Sequence, residues 1–382
     1  MSASTSVTPS SPVLDSLVER VRVAREARGT LAIRGTGTKS FYGEPIQGRL
    51  LDVRGLAGIT RYEPSELVIS ARAGTPIAEV EAELARRNQY LAFEPPRYAD
   101  TARPGQRGGT IGGMVATGLS GPSRQAMGSV RDYVLGLTML TGKAEVLTFG
   151  GQVMKNVAGY DIARMVTGSL GILGVICEVT LKVMPTPSYT STLRFDCSEG
   201  EALDLMQRWA GQPLPVNATA WWQGALVVRL SGATAAVAAA NQKMGGEPID
   251  NVLAQRFWTG MRDQTDEFFV EARRSMADGA ALWRLSLPSG APPVPLPGEQ
   301  LIEWGGAQRW WVTREPAARV RQIAGALGGH ATLFRARDKA ATLGGLGVFA
   351  PLKAPLDRIH QELKQAFDPD GVFNPGRLYP GL

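Results

Sequence analysis

Apolar and polar positions in the first half of the chain follow two periods, one helical and one extended. Residues 13–28 (VLDSLVERVRVAREAR) place apolar side chains every three or four positions and predict a helix that ends at Gly29. Residues 75–88 (TPIAEVEAELARRN) predict a second helix, with Thr75 as its cap and Pro76 in its first turn. Short apolar runs predict strands at residues 31–35, 50–53, 58–63, 67–74, 90–95, 132–142 and 144–150, and a β-branched run predicts one at 174–185. Residues 160–168 predict a short helix.

The pattern changes near residue 188. From there to about residue 350 the chain is richer in Trp, and a Pro-rich loop at residues 287–300 interrupts it. Residues 234–244 (TAAVAAANQKM) predict a helix, and residues 225–230 and 309–313 predict strands. This half is therefore expected to form a separate α+β unit.

These patterns predict an α+β protein of two domains, because 382 residues exceed what one compact core usually accommodates. Residues 1–24 are expected to form a flexible N-terminus and the start of the first helix. Residues 25–187 are expected to form the first domain, and residues 188–382 a smaller α+β cap or interaction domain. The tail from residue 357 is a predicted helix followed by a segment made rigid by Pro and Gly, which is expected to dock back on the protein.

Charge and cysteine content narrow the function classes. The net charge is +6, but Lys and Arg are scattered among acids, which indicates a solvated surface. An anionic partner need not be a nucleic acid, because the phosphates of a cofactor would serve. Cys177 and Cys197 have no second ligand at metal spacing, which argues against a zinc or iron–sulfur site and leaves one disulfide as the alternative to a reduced cytoplasmic protein. No secretory signal and no membrane-spanning run is expected.

Three glycine-rich stretches carry the candidate chemistry. Residues 33–43 (IRGTGTKSFYG), 108–129 (GGTIGGMVATGLSGPSRQAMGS) and 158–178 (AGYDIARMVTGSLGILGVICE) each place glycines beside Ser or Thr, next to a predicted strand. Backbone N–H groups without Cβ bulk form nests for anions, so a pyrophosphate with a flat heterocycle on bare backbone would explain all three. Surface turns are the alternative for any one of them. A Rossmann or Walker phosphate site is not indicated, because the glycine spacing differs and the Walker lysine pattern is absent.

The order of the motifs resembles a known cofactor domain. In sequence they are RGTGTKS, YEPSELVISARAGTPIAEVEAELA, GGTIGGMVATGLSG, GSVRDYVLGLTMLTGKAEVLTFGG and GSLGILGVICEVTLKV. This order resembles the FAD-binding domain of the vanillyl-alcohol oxidase/p-cresol methylhydroxylase (PCMH) type, over about residues 25–185. The closing FDPDGVFNPGRL is similar to the C-terminus of D-lactate and glycolate dehydrogenases of that group. Together with KNVAGYDIARMVTGSLGILG and a diverged second half, it most resembles the family of FAD-binding subunits E of bacterial glycolate oxidases.

The resemblance implies a set of FAD-binding residues. The loop from Arg34 to Ser40 would cradle the pyrophosphate, the segment from Gly108 to Gly113 would run under the flavin and phosphates, and the backbone of Val175 and Ile176 would lie near the adenine. The implied residues are Arg34, Gly35, Thr36, Gly37, Thr38, Lys39, Ser40, Gly108, Gly109, Thr110, Ile111, Gly112, Gly113, Ser120, Gly171, Gly174, Val175 and Ile176. Asp132 and Tyr133 are expected to fix the start of the following strand rather than to touch FAD.

No catalytic residue is assigned. Oxidation of a 2-hydroxy acid needs a base and a cation for the carboxylate, and the two histidines, His330 and His360, are not spaced as a metal pair. His330 is a candidate site residue, and His360 is expected to be an ordinary helix residue. The cations considered for a carboxylate are Arg309, Arg335 and Arg337, with structural ion pairs as the alternative; Trp221–Trp222 and Trp310–Trp311 are read either as core or as a subunit interface.

The resulting hypothesis is an FAD-dependent oxidoreductase subunit acting on CH–OH donors. It would bind FAD non-covalently and oxidise glycolate to glyoxylate together with a catalytic flavoprotein subunit and an iron–sulfur subunit, as the resemblance implies. It would be cytoplasmic, with peripheral attachment to the inner membrane through the complex as a further option, and no metal, nucleic acid or transmembrane segment is expected. The alternatives are a self-sufficient FAD-dependent 2-hydroxy acid dehydrogenase and a cofactor-poor assembly scaffold.

Overall fold

The structure is a computed structural model that describes residues 11–99, 108–151 and 161–382. In chain order the helices are α1 (Pro12–Glu26), α2 (Ile77–Ala85), α3 (Ile111–Thr117), α4 (Arg124–Met127), α5 (Val130–Tyr133), α6 (Ile162–Val166), α7 (Glu199–Ala210), α8 (Thr234–Met244), α9 (Asn251–Asp263), α10 (Glu267–Ala277), α11 (Ala317–Ala326), α12 (Lys339–Leu343) and α13 (Leu356–Phe367). Short 3-10 turns cover Pro64–Glu66 and Trp304–Gly306.

The strands are mostly short and lie on both sides of residue 188. They are β1 (Leu31–Arg34), β2 (Arg49–Asp52), β3 (Ile59–Glu63), β4 (Val68–Arg72), β5 (Gln89–Tyr90), β6 (Val134–Leu140), β7 (Val146–Gly150), β8 (Val175–Lys182), β9 (Met184–Pro185), β10 (Tyr189–Asp196), β11 (Val216–Trp222), β12 (Ala225–Gly232), β13 (Glu247–Pro248), β14 (Ala281–Ser286), β15 (Glu299–Glu303), β16 (Gln308–Thr313) and β17 (His330–Ala336).

The chain divides into two compact units. The first unit comprises residues 1–119, 129–185 and 351–382, and the second unit comprises residues 120–128 and 186–350. The short segment 120–128 therefore belongs to the second unit, and the C-terminal residues 351–382 belong to the first unit. Each unit has its own sheet and its own core.

The first unit contains a five-stranded antiparallel sheet in the order β3-β4-β8-β6-β7 and a parallel pair, β1–β2. Ser11 caps α1 by accepting a hydrogen bond from the Leu14 N–H at 3.2 Å. The apolar stripe of α1 packs into a core with the strands and the tail, formed by Leu14, Leu17, Val21, Ala24, Leu31, Leu51, Val53, Leu56, Leu140, Val175, Cys177, Val372 and Phe373.

The C-terminal tail is built into the first unit by a buried charge pair and by backbone pairing. Lys364 Nζ lies 2.7 Å from the Asp368 carboxylate, which also accepts hydrogen bonds from the N–H groups of Val372 and Phe373. The Leu31 N–H donates to the Val372 carbonyl at 2.7 Å, so residues 372–373 run beside β1. Because both members of the charge pair are buried and hydrogen-bonded, removing either would leave a costly buried charge.

The second unit is built on an eight-stranded sheet in the order β13-β10-β12-β11-β15-β16-β14-β17. Successive strand residues face opposite sides, so Trp310 and Trp311 point to opposite faces. Trp311 packs in a core with residues of α11, and the Trp310 ring lies 5.5 Å from the ring of Phe269 in α10. Both indoles are buried, which supports the core interpretation of this Trp pair.

Most predicted elements are present, with two corrections. The run 90–95 is not a strand: only Gln89–Tyr90 pairs, and the chain turns at Glu94 with φ +49°. Thr75 does not cap α2. Its hydroxyl is held by the backbone of Gly58, accepting from the Gly58 N–H at 2.9 Å and donating to the Gly58 carbonyl at 3.1 Å, so tertiary contact replaces the local cap.

Candidate functional site

A cleft in the first unit collects the glycine loop that follows β1, one side of α3, Leu170, and two residues of the C-terminal tail. These pieces come from four separate stretches of sequence, so the cleft exists only in the folded unit. The described residues that line it are Ile33, Arg34, Gly35, Thr36, Gly37, Thr38, Lys39, Ser40, Ile46, Thr110, Gly113, Ala116, Thr117, Leu170, Asn374 and Arg377. The whole predicted loop from Arg34 to Ser40 is among them.

The glycine loop presents backbone donors to the cleft. Gly37 has φ +77°, and the Ser40 N–H donates to the Gly37 carbonyl at 3.0 Å, which closes a tight turn. The backbone N–H groups from Gly35 to Thr38 have no acceptor within the described ranges. A Cβ on Gly35 would lie 2.6 Å from Thr110 Oγ1, so this loop and α3 approach too closely for a side chain. Open N–H groups in a tight loop form a nest for an anion.

The charge of the cleft also suits an anion. Arg34, Lys39 and Arg377 line it, and no Asp or Glu occurs among its described lining residues. Lys39 is buried, and its Nζ lies 5.8 Å from the centroid of the Tyr98 ring. Burial lowers the pKa of the Arg377 guanidinium to about 10, with the Glu44 charge acting in the opposite direction. A pyrophosphate matches three cations, hydroxyls and open N–H groups, so the residues present fit the phosphate part of FAD.

The segment from Gly108 to Gly113 is not a continuous loop, because α3 begins at Ile111. Thr110 caps this helix by accepting from the Gly113 N–H at 3.2 Å. A Cβ on Gly112 would lie 2.6 Å from the Cβ of Ala73. The absence of a side chain at Gly112 therefore allows α3 to pack closely against Ala73. Gly113 instead lines the cleft, where an added Cβ would meet only Thr110 Oγ1, at 3.2 Å.

The third glycine-rich stretch supports α3 and the tail. Residues 158–160 of it lie outside the described residues. The N–H groups of Gly168 and Leu170 donate to carbonyls of α3 at 2.9 and 2.8 Å. Gly171 has φ +76°, and a Cβ there would lie 2.8 Å from Asn374 Nδ2. A Cβ on Gly174 would lie 2.5 Å from Met139 Cε, so both glycines permit close packing next to the cleft.

The structure does not bring every implied residue to the cleft. Val175 and Ile176 begin β8, pair with β6 and have buried side chains, so only their backbone could face a cofactor. Ser120 belongs to the second unit. Asp132 closes a capping box with Ser129, and the buried Tyr133 ring lies 5.2 Å from that of Phe93. Asp132 and Tyr133 thus end α5 directly before β6, which begins at Val134.

Sequence reasoning missed Asn374 and Arg377, which both line the cleft. The Asn374 amide donates to the Leu170 carbonyl at 2.7 Å and its Oδ1 accepts from the Ile33 N–H at 2.8 Å. The signal available in the sequence was the rigid FNPGRL motif, which indicated docking but not the place of docking.

The candidate catalytic residues are not assembled into a site. His330 begins the edge strand β17, where burial and the Arg284 charge lower the pKa of its ring. His360 Nδ1 lies 2.8 Å from the Leu356 carbonyl oxygen of its own helix. Arg335 Nη2 lies 3.5 Å from Gln264 Oε1, and Arg337 donates to the Ala277 carbonyl.

Arg309 is buried and holds the Pro-rich loop. It donates to the carbonyls of Ala291, Pro292 and Gly306 at 2.6, 3.0 and 3.2 Å, and its Nη1 lies 3.6 Å from Glu199. Its role is therefore structural. Cys177 and Cys197 are both free thiols, and no cluster of three metal-ligating side chains occurs in the described part of the chain. No helix there has the length and apolar character needed to cross a membrane.

Comparisons with known proteins agree with the chemistry of the cleft. Residues 7–150 match the FAD binding domain family. The glycolate oxidase subunit GlcE of Escherichia coli strain K12 is 46% identical over 366 residues, which is 96% of this chain and 97% of that protein. The glycolate oxidase subunit GlcD of Bacillus subtilis strain 168 is 26% identical over 181 residues, covering 47% of this chain and 37% of that one.

A solved structure of alkyldihydroxyacetonephosphate synthase is similar in fold. The match covers 94% of this chain and 74% of that one, with a TM-score of 0.61 at 14% sequence identity. The predicted fold class is confirmed: the chain is an α+β protein with an FAD-binding domain of the PCMH type.

Proposed function

The chain belongs to the family of the glycolate oxidase subunit GlcE, and from this premise we propose that it is the FAD-binding subunit of a complex that oxidises glycolate to glyoxylate. One observation carries the cofactor part of this proposal: the cleft combines three cations and the open N–H groups of the glycine loop, and no carboxylate is found among its described lining residues. When bound, FAD supplies the acceptor for the hydride of the substrate.

Within the first unit we assign the FAD phosphates to the loop from Arg34 to Ser40, with Thr110 and Gly113 on the opposite wall. The hydroxyl of Thr110 is buried and already caps α3, so it orients the helix against the glycine loop. Gly171 and Gly174 keep the neighbouring turn close to the tail. FAD is bound without a covalent link in this proposal.

The partners proposed are a catalytic flavoprotein subunit and an iron–sulfur subunit. The name of the GlcD relative supports the first, because it denotes another subunit of glycolate oxidase. The second follows from the need for an electron exit, since the described residues offer no cysteine cluster for iron and sulfur. We place the chain in the cytoplasm, with any attachment to the inner membrane made through the complex.

The proposal is tested by isolating the native assembly through a tag on this chain and identifying the proteins that accompany it. We expect two further subunits and a flavin absorbance that falls when glycolate is added anaerobically. A colourless chain that copurifies with the same subunits after expression with ample flavin would favour the assembly scaffold. A chain that purifies alone and oxidises glycolate would favour the self-sufficient dehydrogenase.

A further inference from the structure

Arg377 is a buried cation that reaches the cleft from the last residues of the chain. Its relative exposure is 5%, and it lines the same cleft as the Arg34–Ser40 loop. Its Nη1 donates to the Glu44 carbonyl, and its Nη2 donates to the carbonyls of Ser40, at 3.0 Å, and Tyr42. In return, the Glu44 N–H donates to the Arg377 carbonyl at 3.0 Å. One guanidinium therefore fixes the backbone directly after the glycine loop.

These contacts hold the loop but do not neutralise the charge. All three acceptors are backbone carbonyls, and no ion pair between Arg377 and a carboxylate is present in the described ranges. The Glu44 carboxylate acts on Arg377 from a distance, and Arg34 and Lys39 are further cations among the described lining residues of the cleft. A buried cation without a direct counter-ion is costly, and an anion in the same cleft reduces this cost.

We propose that Arg377 is a positioning residue for the cofactor pyrophosphate: it presets the end of the glycine loop and supplies charge to the cleft, so that FAD binding and docking of the C-terminal tail strengthen each other. This inference rests on the proposed function only in that FAD binds in this cleft. By thermodynamic linkage, docking of the tail raises the affinity for FAD, and bound FAD favours the docked tail by the same factor.

The test compares Arg377→Met with Arg377→Lys and uses Arg309→Met as the matched control. Arg309 is also a buried guanidinium bonded to three backbone carbonyls, but it belongs to the second unit and is not among the described lining residues of the cleft. Binding of FAD, ADP and riboflavin to each apo-protein is measured by calorimetry. ADP carries the pyrophosphate without the flavin ring, and riboflavin carries the ring without the phosphates.

We expect Arg377→Met to weaken FAD and ADP binding by about 10- to 100-fold, the range for one charge-assisted contact, while riboflavin binding stays unchanged. Arg377→Lys should recover part of the loss because it keeps the charge. Arg309→Met should leave all three affinities unchanged, whatever its effect on stability. If Arg377→Met does not fold, the ratio of FAD to riboflavin affinity in Arg377→Lys decides, and an unchanged ratio overturns the proposal.

A second measurement follows the tail itself. In the wild-type protein, FAD should slow carboxypeptidase digestion of residues 375–382, and riboflavin should not. Equal losses of FAD and riboflavin affinity in Arg377→Met would show a merely structural role and overturn the inference. Failure of the wild-type chain to bind FAD at all would instead overturn the proposed function, so the two failures are distinguishable.

Discussion

Asn374 and Ile33 are joined by a hydrogen bond of 2.8 Å between the asparagine Oδ1 and the isoleucine N–H, across 341 positions of sequence. Ile33 lies in β1, directly before the glycine loop, and the other end of the same amide donates to the Leu170 carbonyl at 2.7 Å. One buried side chain thus connects the strand that leads into the cleft with the turn behind α3. The backbone of Asn374 has φ +42°, a conformation that asparagine tolerates better than most residues.

Replacing Asn374 should therefore cost stability and cofactor affinity together. Asn374→Ala leaves the Ile33 N–H and the Leu170 carbonyl without their partner, so we expect a loss of about 1–3 kcal/mol in the free energy of unfolding. Urea unfolding of the apo-protein measures this loss, and FAD titration measures the affinity. Gln365→Ala, on an exposed position of α13, is the control. Unchanged unfolding of Asn374→Ala would show that the tail is not held by this amide.

Gly112 and Gly113 should respond differently to substitution although they are neighbours. Gly113→Val puts bulk into the cleft, so we expect a folded protein that has lost FAD. Gly112→Val drives a side chain into Ala73, 2.6 Å from where the first added atom would lie, so we expect destabilisation of α3 itself. Thermal unfolding and flavin content of the purified variants separate the two effects.

Gly325→Val provides the matched control for these helix substitutions. Gly325 lies in α11, where an added Cβ meets no atom within 4 Å. It should change the free energy of unfolding by less than about 1 kcal/mol, because valine is a slightly better helix former than glycine, and it should keep its flavin. Wild-type flavin content in Gly113→Val would show that this glycine only serves the turn into the helix.

Local periodicity was enough to predict α1, α8 and α13, because each has an apolar stripe or composition typical of a helix within its own residues. It was not enough for residues 90–95, whose apolar side chains are buried by packing while the backbone turns. The prediction that Thr75 caps α2 was wrong for a related reason. The Thr75 hydroxyl is hydrogen-bonded to the backbone of Gly58, 17 residues away in sequence.

The tight glycine loop after β1 and its open N–H groups could be predicted from the sequence, because these features are local. The sequence could not show why residue 112 must be a glycine, because the atom that excludes a side chain there belongs to Ala73. Arg377 and Asn374 illustrate the same limit more strongly. Their partners lie more than 200 residues away, and sequence spacing contains no information on which arginine or asparagine returns to the cleft.

The FAD should be held non-covalently. The residues before position 330 contain no histidine, so no histidyl link can form from that part of the chain. Cys177 lies in β8, and burial raises the pKa of its thiol to about 12, which keeps it a poor nucleophile. Acid precipitation of the holo-protein should leave the yellow colour in the supernatant. Flavin fluorescence that stays with the chain on a denaturing gel would contradict this prediction.

Alkaline pH should destabilise the fold through buried neutral acids. The pKa of the Cys177 thiol is raised by burial from 9.0 to about 12, and the pKa of the Tyr133 phenol, also mainly by burial, from 10.0 to about 12. Both groups ionise more easily in the unfolded chain, so their contribution is complete below pH 9 and is lost between about pH 9 and 12. Urea midpoints measured across this range should fall with pH, and Cys177→Ala should fall less steeply. An equal slope for Cys177→Ala and wild type would contradict the assignment to Cys177.

The chain alone should not oxidise 2-hydroxy acids at a catalytic rate. A positioned base contributes typically 10²–10⁴-fold to such a reaction. The candidate residues of this chain do not provide one. His330 begins an edge strand of the second unit, and His360 Nδ1 lies next to a carbonyl of its own helix. Arg309 donates its hydrogen bonds to the Pro-rich loop. The protein is expressed alone, its bound FAD is confirmed, and it is mixed anaerobically with glycolate and with D-lactate.

We expect the flavin absorbance to persist in the isolated chain and to fall in the assembled complex under the same conditions. His330→Ala in the isolated chain should change neither result, because the histidine has no assigned part in the reaction. Rapid bleaching of the isolated chain by either acid would instead show that it contains a complete substrate site and would establish the self-sufficient dehydrogenase. Loss of that bleaching in His330→Ala would then identify His330 as the missing base.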